Sequence, residues 1–200
     1  MNLVMKNQIF CFLLSIAPFI VQSQSIVPYT KPLPQISSSG KIAMPDGKTL
    51  NIENYSDTEG SVFIIVRHAE KDTAGGSNAD LNPIGRGRAE ALRKILKKVK
   101  INGVYSTDRP RTRHTAEPTA KFKRRPVELY DAKKQAELLR GLVEKKGKFL
   151  IVGHSNTVHQ LVNILAGNEQ EKEFSESDYS RLYIVSVKKL GEAKVLMIRF

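Results

Sequence analysis

A chain of 200 residues suits a single domain, and 40% hydrophobic with 26% charged residues is enough apolar material to bury a core, which excludes a chain disordered throughout. Against 20 Asp and Glu stand 32 Lys and Arg, a formal charge of +12, which suits anionic partners such as phosphorylated molecules, nucleic acid or an anionic surface without choosing among them. The one cysteine, Cys11, excludes a disulfide framework.

In chain order, Lys6 precedes a short apolar run, Ile9 to Val21, and the small residues Ser23 and Ser25 follow. This is the pattern of a secretory signal peptide over residues 1–23, too short for a comfortable membrane span, with an uncleaved anchor as the alternative. It predicts export to the periplasm or the extracellular space, with no stable membrane insertion after cleavage. Cys11 lies inside the run, so cleavage would leave no thiol for catalysis. Residues 24–60 form a lead-in. "SIVPYTKPLPQISSSG" (Ser25 to Gly40) is rich in Pro and Ser and reads as a tether or a poorly ordered stretch, whereas Pro45-Asp46-Gly47 between two mildly apolar runs signals a hairpin.

From Ser61 to Phe200 apolar runs alternate with helical patterns. Strands are expected at Val62–Val66, Gly103–Ser106, Val127–Leu129, Phe149–Val152, Leu182–Val187 and Val195–Ile198. Between the first two, Asn82 is placed to cap a helix with Pro83 at its first position, and Leu92, Ile95, Leu96 and Val99 line one face. Val158, Leu161, Val162 and Leu165 do the same for a helix that Gly167 should end. The alternation predicts an α/β fold, a three-layer sandwich whose central, mostly parallel sheet is flanked by helices. Sites in such folds lie beyond the carboxyl ends of strands, where Arg67 and His68 follow one apolar run and His154 follows another.

Three segments carry chemistry: "RHAEK" (Arg67 to Lys71), "STDRPRTRHTAEP" (Ser106 to Pro118) and "GHSNT" (Gly153 to Thr157). Together, and in this order, they resemble the histidine phosphatase, or phosphoglycerate mutase-like, superfamily, and in length its short phosphohistidine-phosphatase-like members. "LNPIGRGRAEAL" resembles the family's entry into its first helix, and the likeness spans roughly Ser61 to Phe200. The resemblance implies a phosphatase, a phosphoric monoester or phosphoramidate hydrolase, that works through a covalent phosphohistidine on His68. It makes Arg67, His68, Arg111 and His154 the phosphate-binding set. Thr115-Ala116 fixes the register on Arg111 rather than on Arg109 or Arg113. Planar guanidinium forks match the oxygens of a phosphoryl group, and neighbouring cationic charge keeps a histidine neutral and nucleophilic. No metal or other cofactor is implied, and the partner expected is a small phosphorylated substrate.

The family's mutases carry a long insertion between the second and third motifs, with an acidic proton donor and a lid. The short stretch between Arg111 and His154 leaves little room for either, so an open pocket is expected. Asp131 in "VELYDAKK" is the candidate proton donor, a surface turn residue being its bland alternative. A phosphomutase is disfavoured, because it must shield its phosphate from water and an exported protein lies away from glycolysis. "GHSNT" also resembles a serine-hydrolase elbow on Ser155, but Thr157 replaces the last glycine and only His159 follows, on the same helix. His154 and His159 stand five apart, which does not put them on one helix face as a zinc pair. The basic runs "KILKKVK" (Lys94 to Lys100) and "KFKRRP" (Lys121 to Pro126) lack any nucleic-acid motif or aromatic platform, so no specific nucleic-acid partner is expected. A non-catalytic polyanion-binding module is the competing reading from another class.

Overall fold

The computed structural model describes residues 25–200. The signal-peptide reading of residues 1–23 lies outside them. Six strands build the central sheet: β4 (Ser61–Arg67), β5 (Gly103–Ser106), β6 (Val127–Leu129), β7 (Gly147–Gly153), β8 (Arg181–Lys189) and β9 (Glu192–Arg199). Their order is β6-β5-β7-β4-β8-β9, with the first four parallel, β8 antiparallel to β4 and β9 antiparallel to β8. A small antiparallel sheet precedes it, made of β1 (Gln35–Ile36), β2 (Lys41–Ala43) and β3 (Thr49–Asn51). All six strands expected in the main sheet are present, and those around the fully buried runs extend a residue or two further.

Four helices cover the sheet: α1 (Pro83–Ile95), α2 (Pro110–Lys123), α3 (Gln135–Lys145) and α4 (Ser155–Ala166). From β4 the chain steps outward to β5 and then β6, and right-handed crossovers put α1 and α2 on one face. From β6 it steps back to β7, and the same handedness sends α3 to the other face. The cores follow this division. Val62, Ile64 and Val66 of β4 pack with Leu92, Ile95 and Ala116, while Phe63 and Ile65 pack with Leu139, Val158 and Leu161. A strand buried on both sides therefore reads as an unbroken apolar run. Asn82 caps α1 as expected, its side-chain oxygen accepting the Gly85 N–H at 2.8 Å, and Gly167 ends α4 in the left-handed conformation (φ 72°).

The lead-in departs from expectation. Pro45-Asp46-Gly47 does turn a hairpin, with Ala43 opposite Thr49, but Ser25–Gly40 is no tether. Ile36 and Ile42 are buried in the core beneath α1, and Val27 N–H bonds to Pro83 O at 3.0 Å. Gly87 makes this docking feasible: a Cβ there would lie 1.9 Å from Val27 O. The Pro and Ser content marked an irregular path, while its scattered Ile, Tyr and Leu residues, spaced to neither period, supplied the burial.

Candidate active site

Parallel pairing of β4 with β7 sets Arg67 opposite Gly153, so the two strands deliver His68 and His154 side by side. His68 N–H bonds to Gly153 O at 2.9 Å, and the imidazole centroids lie 5.4 Å apart. Helices α2 and α4 begin at the same end of the sheet, where their free N–H groups favour an anion.

His68 is 3% exposed. Its Nδ1 lies 2.8 Å from Ala69 O, and a carbonyl only accepts, so Nδ1 carries the proton and Nε2 keeps a free lone pair. Burial above all lowers its pKa to about 3. The Ala69 carbonyl opposes this, and Arg67, His154 and Arg111 add to it. Burial, followed by the charges of Arg111, Arg109 and Arg67, lowers His154 to about 4. Both imidazoles are thus neutral near neutral pH. His154 Nε2 lies 2.9 Å from Thr107 Oγ1, just past the end of β5, which fixes the ring.

The two expected arginines are held differently. Arg67, its side chain 1% exposed, donates Nη1 to Ser175 O and Glu176 O at 3.1 and 2.7 Å and Nη2 to the Glu176 carboxylate at 2.8 Å. The Tyr179 ring lies 4.2 Å from its guanidinium carbon. Its Nε is left without a partner, and Nη2, which carries two N–H groups, makes one bond. Arg111 donates Nη1 to Ser77 O at 2.8 Å and also leaves Nε unpartnered. The register on Thr115 has a physical basis: Thr115 Oγ1 accepts the Ala69 N–H at 2.9 Å and donates to Arg111 O at 2.7 Å, which ties α2 to the segment after His68. Arg113 turns outward to Asp108.

Behind the first motif, Glu70 takes a bidentate bond from Arg88 of α1, Nε to Oε2 at 3.0 Å and Nη2 to Oε1 at 2.7 Å. Gly85 lets α1 approach so closely that a Cβ there would lie 2.2 Å from Glu70 O. "NPIGRGRAEAL" therefore uses one glycine to seat the segment after His68 and the other to seat the lead-in.

A polar cavity of about 380 Å³ opens between His68, Arg109, Arg111, His154, Lys71 and Glu176. Three of the four expected side chains line it, and Arg67 lies just behind. Asp131 does not line it. It sits in an adjoining cavity with Thr107, Arg109, Leu129 and His154, its Oδ1 accepting the Lys133 N–H at 2.8 Å. Sequence reasoning missed Thr107, Lys71 and Glu176. Glu176 also accepts a short hydrogen bond from the Ser155 hydroxyl, and this bond, outweighing a desolvation that acts the other way, holds its carboxyl below the usual range with help from Arg67. Glu176 lies in irregular chain before β8, where no periodicity or motif marks it. The available signal was the need of a buried Arg67 for a counter-charge. Among the described residues, no group of three or more His, Cys, Asp or Glu could hold a metal ion.

The family model for the histidine phosphatase superfamily (branch 1) matches residues 63–132. No curated protein matches the chain by sequence. Among solved structures, the protein histidine phosphatase SixA complexed with tungstate is similar at 20% identity and a TM-score of 0.59, over 69% of this chain and 96% of that one. A mycobacterial glucosyl-3-phosphoglycerate phosphatase is similar at 12% identity and a TM-score of 0.56, over 68% and 97%. A phosphoserine phosphatase from Entamoeba histolytica, in complex with 3-phosphoglyceric acid, gives 15% identity and a TM-score of 0.56, over 70% and 97%.

Proposed function

We propose that this member of the histidine phosphatase superfamily is a phosphatase that hydrolyses phosphoric monoesters or phosphoramidates through a phosphohistidine on His68. The observation that carries the reading is the fixed tautomer of His68: Nδ1–H is held by Ala69 O, and a neutral Nε2 sits in a cavity walled by Arg109, Arg111 and His154. Nε2 attacks phosphorus and forms a P–N bond. The P–O or P–N bond to the leaving group breaks, and the leaving group departs with the electron pair and takes up a proton. Water then attacks the phosphohistidine, the bond to Nε2 breaks with its electrons returning to nitrogen, and inorganic phosphate is released.

The unpartnered Nε–H groups of Arg67 and Arg111 and the helix N-termini supply fixed positive potential for the charge on the transferring group. Four cationic side chains near one cavity, Arg67, Lys71, Arg109 and Arg111, do the work a divalent ion would do, so metal-independent turnover belongs to this reading. Asp131, which lines the adjoining cavity with Arg109 and His154, is the candidate proton donor of this reading. Export, read from residues 1–23, completes the proposal and is tested by locating the activity in fractionated cells.

The test of the mechanism is direct. His68→Ala should lose several powers of ten in turnover while keeping the wild-type melting temperature within a few degrees. Rapid quenching without acid, followed by mass spectrometry, should find phosphate on His68, and turnover should persist in a chelator. Phosphate found on His154 and never on His68, or activity abolished by chelation and restored by one divalent ion, would overturn the mechanism.

A further inference from the structure

Between α4 and β8 the chain runs irregularly, and Glu176 stands in a tight turn of it, where Asp178 N–H bonds back to Ser175 O at 2.9 Å. Both sides of the turn are anchored. Phe174 is buried, and Asp178 accepts from Arg181 Nε at 2.8 Å and from Arg199 Nη1 at 3.2 Å. Arg67 Nη1 holds the Ser175 and Glu176 carbonyls. The backbone is thus fixed, while the Glu176 side chain is 70% exposed and can turn into solvent without unpacking the core.

The Glu176 carboxylate lines the phosphate cavity, with one oxygen on Arg67 Nη2 and the other on the Ser155 hydroxyl. Nε and Nη2 form an edge of a guanidinium that takes a phosphoryl group bidentately. On Arg67, Nε has no partner and Nη2 already bonds Glu176. That carboxylate is ionised, because the Ser155 hydrogen bond, and Arg67 with it, hold it below the usual carboxylate range against a smaller desolvation. Two anions at one guanidinium edge repel each other. Leaving a cation whose side chain is 1% exposed with neither anion is costly in turn.

We propose that Glu176 is an internal competitor of phosphate: its carboxylate and a phosphoryl group are alternative counter-ions of Arg67. This rests on the phosphatase reading above and adds a gate to its phosphate site. In the free protein the carboxylate satisfies Arg67. On binding, the phosphoryl group takes the Nε and Nη2 edge, and the carboxylate gives up Arg67 and Ser155 and turns to solvent. After hydrolysis it returns, which weakens the hold on inorganic phosphate and speeds its release. The site therefore binds phosphate less tightly than its cationic groups alone would, and Glu176 sets by how much.

The experiment measures inhibition of p-nitrophenyl phosphate turnover by inorganic phosphate, together with the melting temperature with and without phosphate, which needs no turnover. Glu176→Gln keeps the shape and removes the charge. It should lower the inhibition constant for phosphate by about tenfold or more, melt below wild type in phosphate-free buffer, and recover most of that loss when phosphate is added. Ser155→Ala changes no charge and only loosens the carboxylate, so it should lower the constant too, by about threefold. Glu173→Gln removes the other carboxylate lining the cavity, at an exposed position, and should change the constant by about twofold at most. An unchanged or higher constant in Glu176→Gln, a higher one in Ser155→Ala, or equal falls in Glu173→Gln and Glu176→Gln would overturn the gate and leave the phosphatase reading standing. Turnover absent from wild type, with no rise in melting temperature on adding phosphate to any of the proteins, would overturn both readings together.

Discussion

At the residue scale the site depends on keeping two histidines uncharged among arginines. With pKa values lowered to about 3 and about 4, His68 and His154 bind fewer protons in the folded state than in the unfolded chain between those values and pH 6.5. Stability from this source is complete above pH 6.5 and is lost as pH falls toward the folded values. In an NMR titration the imidazole signals of both residues should stay flat from pH 7 to pH 5 and move only near pH 4 and below. A midpoint near 6.5 for His68 would mean that its ring is solvated and not held by Ala69. The arginines differ in the same concrete way. Arg111 lines the cavity and is tied to the first motif through Thr115, whereas Arg113 faces Asp108 outside it. Arg111→Lys should therefore lower kcat/KM by about a hundredfold, because a point charge replaces a fork, and Arg113→Ala should leave it within about threefold. Steady-state kinetics on both variants, with Arg109→Ala beside them, checks the register. A crippled Arg109→Ala and a mild Arg111→Lys would show it to be wrong.

At the scale of elements, α1 is the part that holds both ends of the chain's first half in place. Its two glycines meet different neighbours: Gly85 meets the backbone of Glu70, and Gly87 meets that of Val27. Gly85→Ala should push the segment after His68 and lower both kcat and the melting temperature. Gly87→Ala should displace the lead-in, destabilise by about 1–3 kcal/mol and leave kcat nearly untouched. Measuring melting temperature and turnover on the two variants separates the roles, and equal loss of turnover in both would refute the division. The contrast also shows what the sequence made legible. Strand ends and helix caps could be read from local pattern, because an apolar run buried on two faces and an Asn-Pro cap each have one interpretation, and the three motifs located His68, Arg111 and His154. What Gly87 touches, and that Ile36 and Ile42 go into the core, depends on contacts far apart in sequence. Glu176 was hidden for the same reason: only the fold brings the chain before β8 over Arg67.

Across the whole molecule, the excess of positive charge is not gathered at the site. Lys123 of α2 donates to the carbonyls of Lys97 and Val99 at 2.8 and 2.6 Å, which joins the runs 94–100 and 121–125 into one basic face at the C-terminal ends of α1 and α2. The site sits at the other end of α2, about 20 Å away for 14 residues of helix. This separation lets the two competing readings of the chain be tested on one protein. A polyanion held by the helix ends would depend on exposed Lys and Arg and weaken steeply with salt, whereas turnover of a small phosphate ester by the proposed mechanism would depend on a neutral His68, which is buried at the sheet. Retention on a heparin column should be the same for wild type and His68→Ala and should disappear as salt is raised. Turnover of p-nitrophenyl phosphate should vanish in His68→Ala, and in wild type it should survive the neutralisation of Lys97, Lys98, Arg124 and Arg125 to Gln. If those four changes abolished turnover in a protein that still melts like wild type, the basic face and the site would be one functional surface, and the placement of catalysis at the sheet end alone would fail.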